Sequence, residues 1–240
     1  MSMKSQRKYL ECEKQWVYRL LMVVAGFYGG YAMVVRGGAF SNAQTGNVAL
    51  MALALGNGNW RGAAYYLIPI SAYASGALVS EWLPESLRKR HFLRWDTMLT
   101  LFELVMVAIM GFIPASAPHQ ICQVIINFIC SMQYNTFRQA EGVSQATTFC
   151  TNHIRQIGLS LAGGFTGKKS WSQAGQRIWV HGSMILCFVV GVAASAVACR
   201  FFGAYAIWFN LLPLTILFAD LLHADLTKEK DLLEEPSAGH

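Results

Sequence analysis

Charge is what this sequence lacks most. Only 13% of its 240 residues are Asp, Glu, Lys or Arg, while 54% are hydrophobic and the mean hydropathy is +0.35. That is about half the charge of an ordinary soluble domain. What charge remains avoids Trp60 to Val79, Met98 to Ile113 and Ile178 to Cys199 almost entirely. One bilayer crossing needs roughly 20 apolar residues, and a soluble protein of this length could bury one such helix but not six. C-x-x-C pairs are missing as well. Five of the six cysteines (Cys122, Cys130, Cys150, Cys187, Cys199) lie in or beside apolar segments, which is the use of Cys as a small hydrophobe and not a disulfide framework. Cys150 and His153 have a C-x-x-H spacing, but two ligands fall short of a zinc site, so no metal is expected.

No Ser-His-Asp set, paired carboxylates or P-loop can be found, and runs such as Gly56-Asn57-Gly58 lack the strand and helix of a nucleotide-binding loop. The expectation is a protein that is not an enzyme and carries no cofactor. No cleavable signal precedes the first apolar segment, which is too long and leads straight into more apolar sequence.

The net charge of +6 does not point to nucleic acid. Lys and Arg cluster at the ends of apolar segments, as in Arg88-Lys89-Arg90-His91 and Lys168-Lys169. Membrane proteins mark their cytoplasmic loops in this way.

What is present is a polar cluster that occurs twice. Ser41-Asn42-Ala43-Gln44-Thr45-Gly46-Asn47 and Thr147-Thr148-Phe149-Cys150-Thr151-Asn152-His153 superpose on sliding the chain by about 106 residues. Tyr28 then falls on Tyr134, Leu53 on Leu159 and Gly58 on Gly164. Further on, Phe102-Glu103-Leu104 falls on Phe209-Asn210-Leu211 at nearly the same offset. Polar, small-residue segments at matching places in two halves of a membrane protein point to a binding site.

Apolar helices are expected near residues 16–35, 62–83, 95–113, 121–137, 178–199 and 204–222. Shorter ones are expected near 45–55 and 151–161. If all eight crossed the membrane, the Arg88-Lys89-Arg90 loop would lie outside, against the positive-inside rule. If the two short ones are re-entrant, the N-terminus, the loop 84–94, Arg138, Arg155, Lys168, Lys169 and Arg177 all lie inside. The expected fold is therefore an all-α membrane protein of six transmembrane helices plus two short re-entrant half-helices, arranged as an inverted 3+3 repeat. Residues 1–15 form a cytoplasmic segment and residues 16–224 one membrane domain, with repeats 16–117 and 118–224. Residues 225–240 form a charged, loosely ordered cytoplasmic tail. Three crossings per half invert the second repeat, as in many secondary transporters.

Several of these motifs are also familiar. Gly26-Phe27-Tyr28-Gly29-Gly30-Tyr31, Arg36-Gly37-Gly38-Ala39-Phe40 and Asn42-Ala43-Gln44-Thr45-Gly46-Asn47 resemble the YoaK-type family of bacterial membrane proteins. So do Met132-Gln133, Phe137-Arg138, Thr147-Thr148 and the Cys150, Thr151 and Arg155 set. The resemblance covers nearly the whole chain. It implies a multi-pass inner-membrane protein with a presumed transport role. Where the family commonly repeats Thr-Gly-Asn, this chain has Thr151-Asn152-His153.

Candidate site residues follow from the repeat. Thr45, Gly46 and Asn47 open a short helix whose free N–H groups and dipole suit an anion or carboxylate; simple N-capping is the competing account. The substrate set comprises Ser41, Asn42, Gln44, Thr45, Gly46, Asn47, Gln133, Arg138, Thr147, Thr148, Thr151, Asn152 and His153. Arg138 either pairs with an anionic ligand or snorkels to the interface. Glu103, the one carboxylate deep in an apolar helix, and Arg36 are the candidates for ion coupling; a protonated Glu103 bonded to a neighbouring helix is the alternative. The functional expectation is a secondary transporter or exporter of a small polar or anionic solute, in the inner membrane of a bacterium with both termini inside. The other possibility is a non-transporting membrane protein that holds a lipid headgroup or a partner helix. The expected partners are the bilayer and the solute, not nucleic acid; homo-oligomerisation stays open.

Overall fold

Backbone chemistry sets the boundaries of eight α-helices in the computed structural model, which describes residues 9–88 and 93–233, with 86–88 by backbone alone. They are α1 (Gln15–Val35), α2 (Gln44–Gly56), α3 (Trp60–Arg88), α4 (Trp95–Gly111), α5 (His119–Thr136), α6 (Thr151–Phe165), α7 (Trp171–Phe202) and α8 (Leu211–His223). Gly37 and Gly38 stop α1 with φ of 78° and 75°, and the Gly38 N–H bonds back to the Ala32 carbonyl at 3.2 Å. Asn57 and Gly58 close α2 in the expected way. A hairpin of β1 (Gln139–Ala140) and β2 (Val143–Ser144) turns through Glu141 and Gly142, both at positive φ. Two boundaries differ from expectation. α7 begins seven residues before its apolar run because Ser170 and Gln173 form a capping box. Residues 203–210 form a 3-10 segment instead of the start of α8, after Gly203 turns the chain at φ 54°.

Among the described residues, three helical stretches are long and apolar enough to cross a membrane: Gln15–Val35, Trp60–Glu85 and Trp171–Lys228. The third contains both α7 and α8, with Gly203 between them. Helices α4 and α5 have 17 and 18 residues.

Side-chain contacts fix the relative directions of the long helices. Arg19 Nε meets Ser183 Oγ at 3.1 Å and the Tyr31 hydroxyl meets the Ala204 carbonyl at 3.0 Å, so α1 and α7 run the same way. Gln123 donates to the Tyr65 hydroxyl at 2.7 Å and Asn135 to Ser80 Oγ at 2.9 Å, so α3 and α5 also run the same way. Gln133 reaches the Leu21 carbonyl while Gln123 reaches that of Arg36, which makes α5 antiparallel to α1. At one end of α4 the Arg94 N–H bonds Asp225, and near the other Trp208 bonds the Ala108 carbonyl; α4 and α8 are antiparallel. The repeat offset carries the α1–α7 pair onto α5–α3 and the α2–α3 pair onto α6–α7. All four pairs are packed.

Glycines let these helices meet backbone to backbone. A Cβ on Gly26 would sit 2.3 Å from the Phe188 carbonyl oxygen, one on Gly191 2.1 Å from that of Val23, and one on Gly76 2.4 Å from that of Phe128.

The charges divide between two ends. At the end holding Arg36 and the α2–α3 turn, the described charges are Arg36, Arg61 and Arg200. At the other end lie Glu11, Lys14, Arg94, Asp96, Arg138, Lys168, Lys169, Arg177, Asp225, Lys228 and Glu229, among others. The Lys89–His91 part of the basic loop lies outside the described residues. Between the ends, Leu67, Leu78, Val105, Leu186, Val190 and Leu212 are exposed. Exposed Trp60 and Phe112 mark one rim, and Trp82, Trp171 and Trp179 the other, in the manner of interfacial aromatic belts.

The tail corrects the expectation of loose order, because residues 224–233 pack against the bundle. Asp225 accepts the Arg94 N–H at 3.0 Å, Glu229 accepts the Glu11 N–H at 2.8 Å, and Arg94 pairs with Asp96 at 3.3 Å. Burial raises the pKa of Asp225 and of Glu229 despite these partners. At Glu11 burial also pushes upward, but Lys14 and Lys228 outweigh it and the net shift is downward.

Replacing Gly191 with Ala is expected to cost about 1–3 kcal/mol through overpacking. Gly175→Ala, where a Cβ meets nothing within 4 Å, should be neutral or stabilising; thermal unfolding in detergent separates the two. The tail gives a pH test. Acids with raised folded pKa values stabilise the docked form at low pH, and that support is lost as pH rises through those values. Hydrogen-exchange protection of residues 224–232 should thus fall as pH rises from the carboxylate range toward neutrality. The pair Asp225→Asn and Glu229→Gln, which keeps both acceptors, should flatten that fall.

Candidate functional site

The two polar clusters sit at the N-terminal ends of α2 and α6, and each is closed by the same device. In the first, Asn47 folds back seven residues: its Nδ2 donates to the Phe40 carbonyl at 2.7 Å, and its Oδ1 accepts the Phe40 N–H at 3.0 Å. The same Nδ2 also reaches Gln44 Oε1 at 3.0 Å. In the second, His153 Nε2 reaches the Ala146 carbonyl at 2.7 Å, again seven residues back. Phe40 and Ala146 are themselves repeat-equivalent. The histidine that departs from Thr-Gly-Asn thus keeps the clasp. A carbonyl only accepts, so His153 Nε2 carries the proton, and in the neutral ring its Nδ1 accepts from His181 Nδ1 at 2.9 Å. Among the described residues, no such partner from α3 meets Asn47. The N-cap positions, Ala43 and Cys150, make no side-chain cap, so these clusters are not ordinary N-caps.

A second departure has a steric cause. A Cβ on Gly46 would lie 2.5 Å from the Phe40 ring. In the second copy the ring is gone, Ala146 stands in its place, and the position equivalent to Gly46 is Asn152.

The first clasped loop reaches one face of α1, and side chains from α5 and the 3-10 segment meet the same face. Asn42 Nδ2 donates to the Ala25 carbonyl at 3.1 Å, Asn210 Nδ2 to that of Val24 at 3.2 Å, and Gln133 Nε2 to that of Leu21 at 3.5 Å. Leu21 and Ala25 are one turn apart, about 6 Å along the axis. Gln133 also donates to the Thr147 carbonyl at 3.0 Å, so it ties the second cluster to this face. Gln44 Nε2 meets Asn127, halfway along α5, at 2.6 Å. Thr148 faces the hydroxyl of Tyr73 in the middle of α3.

Around this meeting point, buried polar atoms have no hydrogen-bond partner among the described residues. They include Ser41 Oγ and Thr147 Oγ1, which occupy equivalent places in the two copies, together with Ser131 Oγ and Gln133 Oε1. Behind them Glu103 is 1% exposed, with both carboxyl oxygens unpartnered, and the unpartnered Tyr28 hydroxyl and Cys130 are its electrostatic neighbours. Asn210, the repeat counterpart of Glu103, touches Val24; Cys130, next to Glu103, is the counterpart of Val24. An unpaired buried charge is very costly, so Glu103 is stable there only with a proton or a cation beside it. Sequence reasoning missed Tyr28, Asn210 and His181 as members of this polar region. Tyr28 and Asn210 had a signal in the repeat register itself.

The remaining candidates lie apart. Thr45 and Thr151 are exposed on the first turns of their helices. Arg138 pairs with Glu81 at 3.1 Å and bonds Asn135 at the charged end. Arg36 is fully buried at the opposite end. Its guanidinium donates to Tyr31 Oη at 2.9 Å and to the carbonyls of Ile113 and Pro114 at 2.8 and 3.1 Å, so it caps the C-terminal end of α4. Among the described residues there is no group of three metal-ligating side chains.

The clasp makes a sharp expectation. Asn47→Ala removes the partner of the Phe40 N–H and C=O, at up to about 1 kcal/mol for each of these part-buried bonds. His153→Asn keeps the clasp and should cost less. Gly46→Asn should be strongly destabilising alone and be rescued by Phe40→Ala, a coupling that a double-mutant cycle of thermal unfolding measures.

Comparison with known proteins completes the description. No curated protein and no solved structure matches the chain. One family does match, over residues 17–219, and by that match the chain belongs to the family described as "Protein of unknown function (DUF1275)".

Proposed function

We propose that the protein is a secondary transporter or exporter of a small polar solute, bound where the two clasped loops meet on α1. In this reading six helices cross the cytoplasmic membrane of a bacterium, α2 and α6 are re-entrant, and the two halves form an inverted repeat. The shared direction of α1, α4 and α7, against α3, α5 and α8, supports the inversion: each helix of the first half runs opposite to its counterpart. The concentration of Lys and Arg at the end where the described residues begin and finish supports an inside location for that end.

The observation that carries the reading is the pair of equivalent, buried and unpartnered hydroxyls of Ser41 and Thr147. Buried polar groups without partners are rare and call for an explanation; a solute that hydrogen-bonds to both tips supplies one. Arg138, the candidate partner for an anion, is engaged with Glu81, and Arg36 with backbone carbonyls. An uncharged or donor-bearing solute therefore suits the free hydroxyl and amide oxygens better than an anion. Glu103 is the group that would carry a coupling proton.

The test is thiol-reagent access to single cysteines at Ser41 and Thr147, in a Cys-free background, from each side of the membrane. Ser41 reached from outside and Thr147 from inside is the expected result. Access to both from one side rejects alternating access. In a flux assay, Asn47→Ala should abolish transport without preventing insertion. Glu103→Gln should remove proton coupling, whereas a non-transporting protein would tolerate it.

A further inference from the structure

A second site lies outside the polar centre, on the charged end of α7. A cleft of about 340 Å³ opens between β2 and the first turns of α7, lined by Val143, Lys169, Gln173, Gln176, Arg177 and Val180. Gln173, Gln176, Arg177 and Val180 stand at i, i+3, i+4 and i+7, one face of the helix. The polar lining offers an ammonium, a guanidinium and two carboxamides, and no carboxylate. Neither Lys169 nor Arg177 makes an ion pair among the described residues, although salt bridges occupy Lys14, Arg94, Arg138 and Lys228 at the same end.

The cleft is also preorganised. The Lys169 N–H bonds the Gly163 carbonyl at 3.0 Å, and its side-chain stem lies over Gly163, where a Cβ would come within 3.1 Å of Lys169 Cδ. The Ser170–Gln173 capping box holds the turn that presents it. A side chain at 163 would push this stem aside by a few tenths of an ångström.

Large aromatic side chains stand at the same level of α7 as the cleft, on other faces of the helix. Trp171, Trp179 and Phe165 are 56%, 67% and 77% exposed, and Phe165 packs edge-on against Trp171 at 5.0 Å. Exposed Trp at this level of a membrane-crossing helix marks the headgroup layer. The equivalent turn before α3, Asn57-Gly58-Asn59-Trp60-Arg61, carries one cation and no second. The site therefore belongs to one half and one end of the molecule.

We propose that this cleft binds the headgroup phosphate of an anionic phospholipid, with Lys169 and Arg177 on the phosphate oxygens and Gln173 and Gln176 donating beside them. Free phosphate offers the same oxygens, but the headgroup level that the exposed tryptophans of α7 mark favours the lipid as the source. The inference requires only that α7 crosses the bilayer, and not that the protein transports anything.

The experiment follows thermal unfolding of the full chain in neutral detergent as phosphatidylglycerol, phosphatidylcholine or inorganic phosphate is added, with native mass spectrometry counting the lipids retained. Phosphatidylglycerol should raise the midpoint by several degrees and stay bound, while phosphatidylcholine should do much less. The double variant Lys169→Gln, Arg177→Gln should lose most of that shift and the retained lipid. Lys168→Gln, exposed and outside the cleft, should keep both. An undiminished shift and lipid count in the double variant would overturn the site. A full shift from inorganic phosphate alone would overturn the lipid as its occupant.

Discussion

Backbone that leaves the helix in the middle of an apolar bundle must find every hydrogen bond inside the protein. That constraint governs the inner parts of the two loops, residues 39–43 and 145–150, and the rest of the architecture answers it. Asn47 and His153 each hold their own loop by the backbone seven residues earlier. Asn42, Gln133 and Asn210 then use carbonyls already engaged within α1, which have a second lone pair to offer. A loop so anchored has little freedom to drift, and polar groups left over at its tip are held where a ligand could meet them.

Close helix contact is the second support. The glycines that bring α1 against α7 and α3 against α5 remove side chains from the seam, so that each loop's amides can reach a neighbouring backbone at all. Such seams stabilise through dispersion and exclusion of lipid instead of the hydrophobic effect. The aliphatic residues that would have filled a soluble core instead face outward, as Leu186, Val190 and Leu212 do.

Much of this was legible in the sequence. Periodicity and Gly or Asn stops located α1, α2 and α5 to within two residues, because those signals are local. The α7 start was missed because Ser170 and Gln173 outweigh a polar first turn, and the 3-10 segment because nothing apolar distinguishes it from helix. The repeat register paired Ser41 with Thr147, and both hydroxyls are buried and unpartnered. It could not reveal that Arg36 faces the end of α4, that His153 meets His181, or that Glu229 and Asp225 fold under the bundle. Those contacts join residues 28 to 218 positions apart, and one sequence carries no record of them.

The exchange of Phe40 and Gly46 for Ala146 and Asn152 constrains how the two halves could have diverged. Each loop has room for one bulky group, either at its start or on the first turn of its helix. A chain passing from the first arrangement to the second must shrink the aromatic before enlarging the glycine, since the reverse order passes through an overfilled loop. Neither position drifts on its own: their histories are ordered, and the order runs through Ala-Gly.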